Sequence, residues 1–180
     1  FAHFYFLSAN LEAASDLLDN HKNVHLDLTP GIEMYYNFSA KHDLWREFFL
    51  KYQDRILFGT DISSGQNIES ALARAWFVRN FLETDSKFRL PSESDSLLEV
   101  HAQKQLRGLN LPRAALEKIY YENFRRLVGS KPRRLDLDLA IKECDRLSNE
   151  EALLKGKPVY ESTATVAISI IEKYQLITQA

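Results

Sequence analysis

The sequence predicts an α/β fold in which three parallel strands alternate with helices. Two observations carry this. Apolar runs of strand length at 1–8, 23–29 and 55–61 are separated by stretches with helical periodicity, the order of a parallel α/β unit. The last run, Arg55-Ile56-Leu57-Phe58-Gly59-Thr60-Asp61, is apolar until it stops at a carboxylate, as a buried parallel strand does when it delivers a polar group to the open end of a sheet.

Residues 1–8 are aromatic and apolar, the composition of a strand. The chain opens directly on Phe-Ala-His-Phe-Tyr-Phe-Leu, with no initiator Met and no helix cap, so it is expected to start inside a strand and to be the C-terminal part of a longer protein. Residues 10–20 predict a helix, capped by Asn10, with Leu11, Ala14, Leu17 and Leu18 on one face. Residues 23–29 alternate and end before Pro30-Gly31, which predicts a second strand followed by a loop running through Tyr36. Residues 39–52 predict a helix with Ser39 as cap and a buried stripe of Leu44, Trp45, Phe48 and Phe49. Strand 55–61 follows.

Beyond Asp61 the sequence is helical. Residues 67–83 predict a long helix through Ala71, Leu72, Ala75, Trp76, Val78, Phe81 and Leu82. Residues 84–110 are irregular and polar, with a short helix expected near 96–106. A helix opens at Leu111-Pro112, with proline in its first turn, and stops at Gly129. Lys131-Pro132-Arg133-Arg134 is a basic linker, and 136–153 and 161–177 predict two more helices. Two regions result: 1–130 carries the strands, and 131–180 is a helical extension that wraps the first region or makes a dimer contact.

The chain has 180 residues, 45% hydrophobic, 27% charged and 12% aromatic, which places it among globular chains with a real core. A net charge of −2 without basic clustering argues against nucleic acid as a partner. No apolar run is long enough to span a bilayer, and membrane partners are not expected. A single cysteine, Cys144, excludes an internal disulfide framework and points to a reducing, cytoplasmic setting.

Among residues that could carry chemistry, Asp61 comes first. At the C-terminal end of a parallel strand it reads as a metal ligand or general base, and it reads also as the N-cap of the helix that follows. His3, in an apolar strand, reads as a satisfied core residue or as a site residue near a strand end. His21 and His25 lack the helical setting a zinc pair needs and read as a surface and a half-buried histidine. His42 and His101 fall in polar helical stretches and are expected in solvent. Asp27 lies in the second strand. Glu33, with Tyr35 and Tyr36, lies on the loop after that strand, where a carboxylate and two phenols could contact a small-molecule substrate or pack as a lid. The sequence holds no glycine-rich phosphate loop, no Gly-x-Ser-x-Gly and no Cys-x-x-Cys.

The order of three segments resembles the C-terminal half of the amidohydrolase-related metal-dependent hydrolases, a (β/α)8-barrel family. They are AHFYFLSANLEAASDLLDNHKNVHLDLTPG, then DRILFGTDI, then GLNLPRAALEKIYYENFRRLVG. The family's sixth strand carries a histidine, its seventh an Asn-Val-aromatic-x-Asp, its eighth Arg-Ile-Leu-Phe-Gly-Ser-Asp, and its closing helix a Leu-Pro…Asn-x-x-Arg-Leu-Leu-Gly pattern. Here Thr60 stands for the serine, and Phe4-Tyr5-Phe6 stand where glycines are usual. The resemblance, over residues 1 to about 129, implies the last part of a TIM-type barrel. It implies that Asp61 binds a divalent metal, zinc above all, and accepts the proton of its water, and that His3 contacts that water or the substrate. Asn123 and Arg126 would be structural. The implied reaction is attack of metal-activated water on an amide or lactone carbonyl; decarboxylation of aromatic acids, as in some relatives, and a non-enzymatic assembly role are the alternatives. The chain contains no His-x-His, so the resemblance implies further ligands from an N-terminal half of the barrel and no activity from these residues alone. A homodimer is a further expectation.

Overall fold

A computed structural model of the chain describes residues 1–91, 104–131, 134–156 and 158–179, with side chains described through Gln175. It divides into two compact units, Phe1–Ser130 and Lys131–Ala180. None of its described helices is long and apolar enough to cross a membrane.

The first unit runs α1 (Leu11–Asn20), β1 (Leu26–Asp27), α2 (Ile32–Ala40), α3 (His42–Lys51), β2 (Ile56–Leu57), α4 (Ile68–Glu83), β3 (Lys87–Phe88), β4 (Leu106–Arg107), α5 (Arg113–Glu117) and α6 (Asn123–Val128), with a π-helical turn at Lys118–Glu122 joining the last two. Three parallel strands of a (β/α)8 barrel are not what forms. The described residues are mostly helical. β1 pairs with β2 in parallel, Leu26 beside Ile56, and β3 pairs with β4 antiparallel, Phe88 beside Leu106. Each of these strands is two residues long.

The reasons lie in what each segment can bury. Residues 1–8 do not form a strand. Phe1 alone continues the parallel ladder, its ammonium donating to His25 O at 2.7 Å and its carbonyl accepting from Asp27 N at 2.9 Å. The chain then curls through a tight helical turn, Ala2–Phe6, in which His3, Phe4 and Tyr5 have φ of 52°. The turn drops Phe4 into the core and leaves Phe1, Tyr5 and Phe6 exposed. Aromatic content favours a strand only where a pleated surface exists to receive it; here one ring is received, by helices. Phe4 meets Phe38 and Trp45 edge-on at 5.0 and 5.6 Å, and Tyr35 lies 4.5 Å from Phe77. This aromatic cluster is the centre of the core.

The expected loop 29–36 is also different, because Ile32, Met34, Tyr35 and Phe38 are buried on a helix, α2. Ser39 therefore ends α2 instead of capping α3, and Leu44 is exposed while Trp45, Phe48 and Phe49 are buried. Asn10 accepts from Ala13 N at 3.0 Å to cap α1, whose Ala14 and Leu18 are buried. α4 is capped by Asn67, which accepts from Ser70 N at 2.7 Å. Its buried stripe runs Ser70, Ala73, Arg74, Phe77, Val78, Phe81 and Leu82, leaving Leu72 and Trp76 exposed. The helix expected near 96–106 lies mostly outside the described residues; its end, Leu106–Arg107, is β4. Gly129, at φ 90°, stops α6.

The second unit is α7 (Leu137–Lys155), capped by Asp136, and α8 (Thr163–Gln179), joined through Gly156 in a left-handed conformation and a short 3₁₀ turn.

Candidate functional site

The site predicted around Asp61 sits where the parallel pair ends. β1 and β2 point the same way, and the Leu28 N–H donates to Leu57 O at 3.0 Å beyond the paired residues. Gly59 lets the two chains stay close past that point. A Cβ on it would meet Thr29 Oγ1 at 2.7 Å and Thr29 N at 2.8 Å. The helical closure of the unit fixes β2 from the other side. Phe58 N donates to Ile119 O at 2.9 Å, inside the π-helical turn, and the buried Asn123 amide donates to Gln53 O at 2.7 Å and Ile56 O at 2.8 Å. A π turn leaves carbonyls out of the regular α-helical register, and here one of them is used by the strand.

Asp61 then leaves the extended path with φ of 55°, a conformation that non-glycine residues adopt rarely. It does not cap α4. Its carboxylate is 42% exposed, and its Oδ2 lies 3.3 Å from Nη1 of Arg74, a side chain only 3% exposed. The same guanidinium nitrogen donates to Asp61 O at 3.3 Å and Thr60 O at 3.4 Å. Arg74 thus holds the strand's end by two carbonyls and a carboxylate at once. The sequence carried a signal for it: Arg74 falls on the spacing of Ser70, Phe77, Val78 and Phe81, the buried stripe of α4.

His3 lies beside Asp27, but through its backbone: His3 N donates to Asp27 Oδ1 at 3.2 Å. Thr29 N donates to the same oxygen at 2.9 Å. Asp27 is therefore a staple that ties the start of the chain to the loop after β1. The His3 ring stacks on Phe6 at 5.7 Å. Glu33 is exposed in the first turn of α2, and its carboxylate folds back over Gly31, where a Cβ would lie 2.7 Å from Oε1. Such placement of an acid suits a helix N-terminus. Tyr35 is wholly buried on α2, with its hydroxyl donating to Leu28 O at 2.7 Å; burial pushes its ionisation well above that of a free phenol. It braces the chain at Leu28 from within the core.

His21 is exposed and His25 half-buried, as expected. His42 is not in solvent. It is buried, with Nδ1 2.8 Å from Asp43 Oδ1 and Nε2 2.8 Å from Gly108 O, so it clamps α3 to the segment after β4. Its polar sequence neighbours hid this. His101 lies outside the described residues.

Among the described residues, no three His, Cys, Asp or Glu side chains come together as ligands for a metal. Asp61 faces an arginine and Asp27 is taken up by two backbone N–H groups, so these residues do not by themselves fit the divalent ion that the sequence resemblance implies. What the arrangement offers is a half-exposed carboxylate, fixed in place by a buried cation at the mouth of a parallel strand pair. No protein-family model matches the chain, and no curated protein or solved structure is similar to it.

Proposed function

We propose that Asp61 is a working carboxylate in a metal-dependent hydrolase site of the amidohydrolase-related type, to which this chain contributes one wall. The observation that carries the reading is the placement of Asp61. It ends the Arg-Ile-Leu-Phe-Gly-Thr-Asp motif, lies four residues beyond the C-terminal end of the parallel strand β2, and keeps partial exposure while Ile56 is buried and Leu57 and Phe58 are half-buried. Parallel α/β proteins place chemistry at that end of their strands. Backbone strain at a residue without glycine's freedom is a further mark of function.

In this role Asp61 accepts a proton from the attacking water as the water oxygen bonds to an amide or lactone carbonyl carbon. The proton then passes to the leaving nitrogen or oxygen as that bond breaks. Arg74 is a positioning residue: it fixes the carboxylate and the carbonyl of Asp61. The metal would need ligands beyond those the described residues gather, so the chain by itself is expected to be inactive.

The test uses the full-length gene product, with metal content measured by mass spectrometry and turnover followed on a panel of amides, lactones and aromatic carboxylic acids. Asp61→Asn, which tolerates the left-handed backbone, should lower kcat by about 10² or more while the circular dichroism stays unchanged. Hydrolysis that is undiminished in Asp61→Asn, or a wild-type protein that hydrolyses nothing on the panel in the presence of zinc, overturns the reading. Release of carbon dioxide instead of hydrolysis would reassign the reaction.

A further inference from the structure

The helices of the second unit do not bury a core. Among its described residues only Ser148 and Ser162 are buried, and neither is hydrophobic. α7 and α8 pack antiparallel, with Ser162 Oγ donating to Glu151 Oε2 at 2.7 Å at one end and Gln175 Nε2 donating to Asp138 Oδ1 at 3.1 Å at the other. The seam between them uses Leu137, Ile141, Cys144 and Ser148 on α7 against Ala164, Ile168 and Ile171 on α8, a spacing of alternating threes and fours. Most of these positions remain only partly buried.

A second apolar stripe lies next to the seam on each helix. On α7 it is Ala140, Leu147 and Leu154, seven apart; on α8 it is Ala167, Ile170 and Tyr174, three and four apart. Leu147 is 43% exposed, Leu154 80% and Ile170 63%. At 3.6 residues per turn in an antiparallel pair, these two stripes fall on the same side of the hairpin. The opposite side carries Asp138, Lys142, Asp145 and Asn149 on α7, with Ser169 and Glu172 on α8, all exposed. The hairpin is amphipathic: one broad face is apolar, and the other is polar apart from Leu153, which is 86% exposed.

We propose that this face is covered by the same face of a second copy, so that two α7–α8 hairpins form a four-helix bundle. Size and charge argue for a second copy. α7 has 19 residues, which makes it about 28 Å long, and two helices side by side are about 20 Å wide. Face-to-face contact then covers about 560 Å² per copy, or about 1,100 Å² in total, in the range that separates specific interfaces from incidental ones. The carboxylates bordering the face, Glu143 and Glu150, are both held by Arg146 at 2.8 and 2.7 Å. Two copies therefore meet without a bare carboxylate opposite its own image. A face of this kind is self-complementary under a twofold axis, as an isologous dimer requires. Two hairpins then supply the four apolar stripes that a four-helix bundle needs. This inference does not depend on the hydrolase reading.

The test is sedimentation of the 180-residue chain. The wild type should sediment at twice 20.8 kDa. Leu147→Glu and Ile170→Glu, each at a position exposed in the single copy, should shift the mass to that of one chain without loss of helical circular dichroism. Asn149→Glu, on the polar side, should leave the dimer intact. Should the glutamate variants lose their helices, wild-type amide exchange decides: exchange in 137–175 should slow as concentration rises from about 1 to about 100 µM. A wild type that sediments as one chain throughout that range, a dimer that survives both glutamates, or exchange independent of concentration overturns the proposal.

Discussion

Nη1 of Arg74 lies 3.3 Å from Oδ2 of Asp61, and it reaches that carboxylate from the buried face of a helix that begins seven residues later. The guanidinium has little access to water, so its charge is compensated by the carboxylate and by the carbonyls of Thr60 and Asp61. The first prediction concerns this pair. Arg74→Met fills much of the same volume but leaves two carbonyls and a carboxylate without their donor. Stability should fall by about 2–4 kcal/mol, read from the urea midpoint. At Asp61 the backbone adds a second demand. Asp61→Asn keeps a short polar side chain at φ 55° and should cost about 1 kcal/mol. Asp61→Val should cost about 1–2 kcal/mol more, because a β-branched residue is strained there. Equal losses for Asn and Val would show that the positive φ is not held in solution.

A second prediction concerns Asn123, which is wholly buried and donates to the carbonyls of Gln53 and Ile56. Its amide closes the C-terminal helix of the first unit onto β2. Asn123→Ala removes the donors from both carbonyls and opens a small void, which should cost about 2–4 kcal/mol. Asn123→Asp is nearly isosteric but turns a carboxylate toward two carbonyl oxygens, and should be worse than alanine at neutral pH. Thermal melts of the two variants give the order; an Asp variant as stable as wild type would place the amide elsewhere.

The third prediction is a pH dependence. Burial raises the carboxyl of Glu83, but the bonds from Arg79 at 2.8 Å and from the Tyr120 hydroxyl at 2.7 Å outweigh it, and the net shift is downward from 4.5. The Tyr120 phenol is pushed up, by burial first and then by Glu83, so it stays a donor. A carboxyl lowered in the folded state binds fewer protons there than in the unfolded chain. Its contribution to stability is therefore complete above about pH 4.5 and is lost as pH falls through the folded value. Tyr120→Phe should cost about 1 kcal/mol at pH 7 and less once the pH falls below the folded value, because the bond it removes is weaker to a protonated acid. Melting temperatures of the two proteins should converge in acid. A gap that widens in acid would contradict the assignment.

The helices were the more legible part of the sequence, and the reason is local. Asn10 caps α1, Pro112 precedes α5 and Gly129 ends α6, and each signal acts within its own turn. Strands were misread because their extent depends on neighbours. The runs 23–29 and 55–61 have strand composition, but only Leu26–Asp27 and Ile56–Leu57 pair. A ladder needs a partner on each side, and among the described residues β1 finds only Phe1 on its second edge. Residues 1–8 were misread because the helices α2 and α3 take Phe4, which composition does not foretell. The site was legible in one residue. The motif points to Asp61, which lies four residues past β2; Arg74 shows only as a charge on the spacing of an apolar stripe, and Tyr35 falls in a stretch of loop composition that forms α2. His42 was misplaced because its partner, Gly108 O, is 66 residues away.

The last prediction returns to the motif itself, at Gly59. Its φ is not positive, so conformational freedom is not the reason for a glycine there. The reason is space. A methyl group would sit 2.7 Å from Thr29 Oγ1, which can rotate away, and 2.8 Å from Thr29 N and 3.2 Å from Thr29 Cα, which cannot. Gly59→Ala must therefore push apart the two chains that run on from β1 and β2. The cost should be about 1–3 kcal/mol, typical of overpacking. Thr29→Ser or Thr29→Ala should not rescue it, because the backbone contacts remain. The separation also changes the point from which Thr60 and Asp61 leave the strand, so the contact of Asp61 with Arg74 should loosen with it. A double-mutant cycle between Gly59→Ala and Arg74→Met measures this: the combined loss should be smaller than the sum of the two single losses, as for sites that share a structural element. Strict additivity would mean that the strand separation stops short of Asp61.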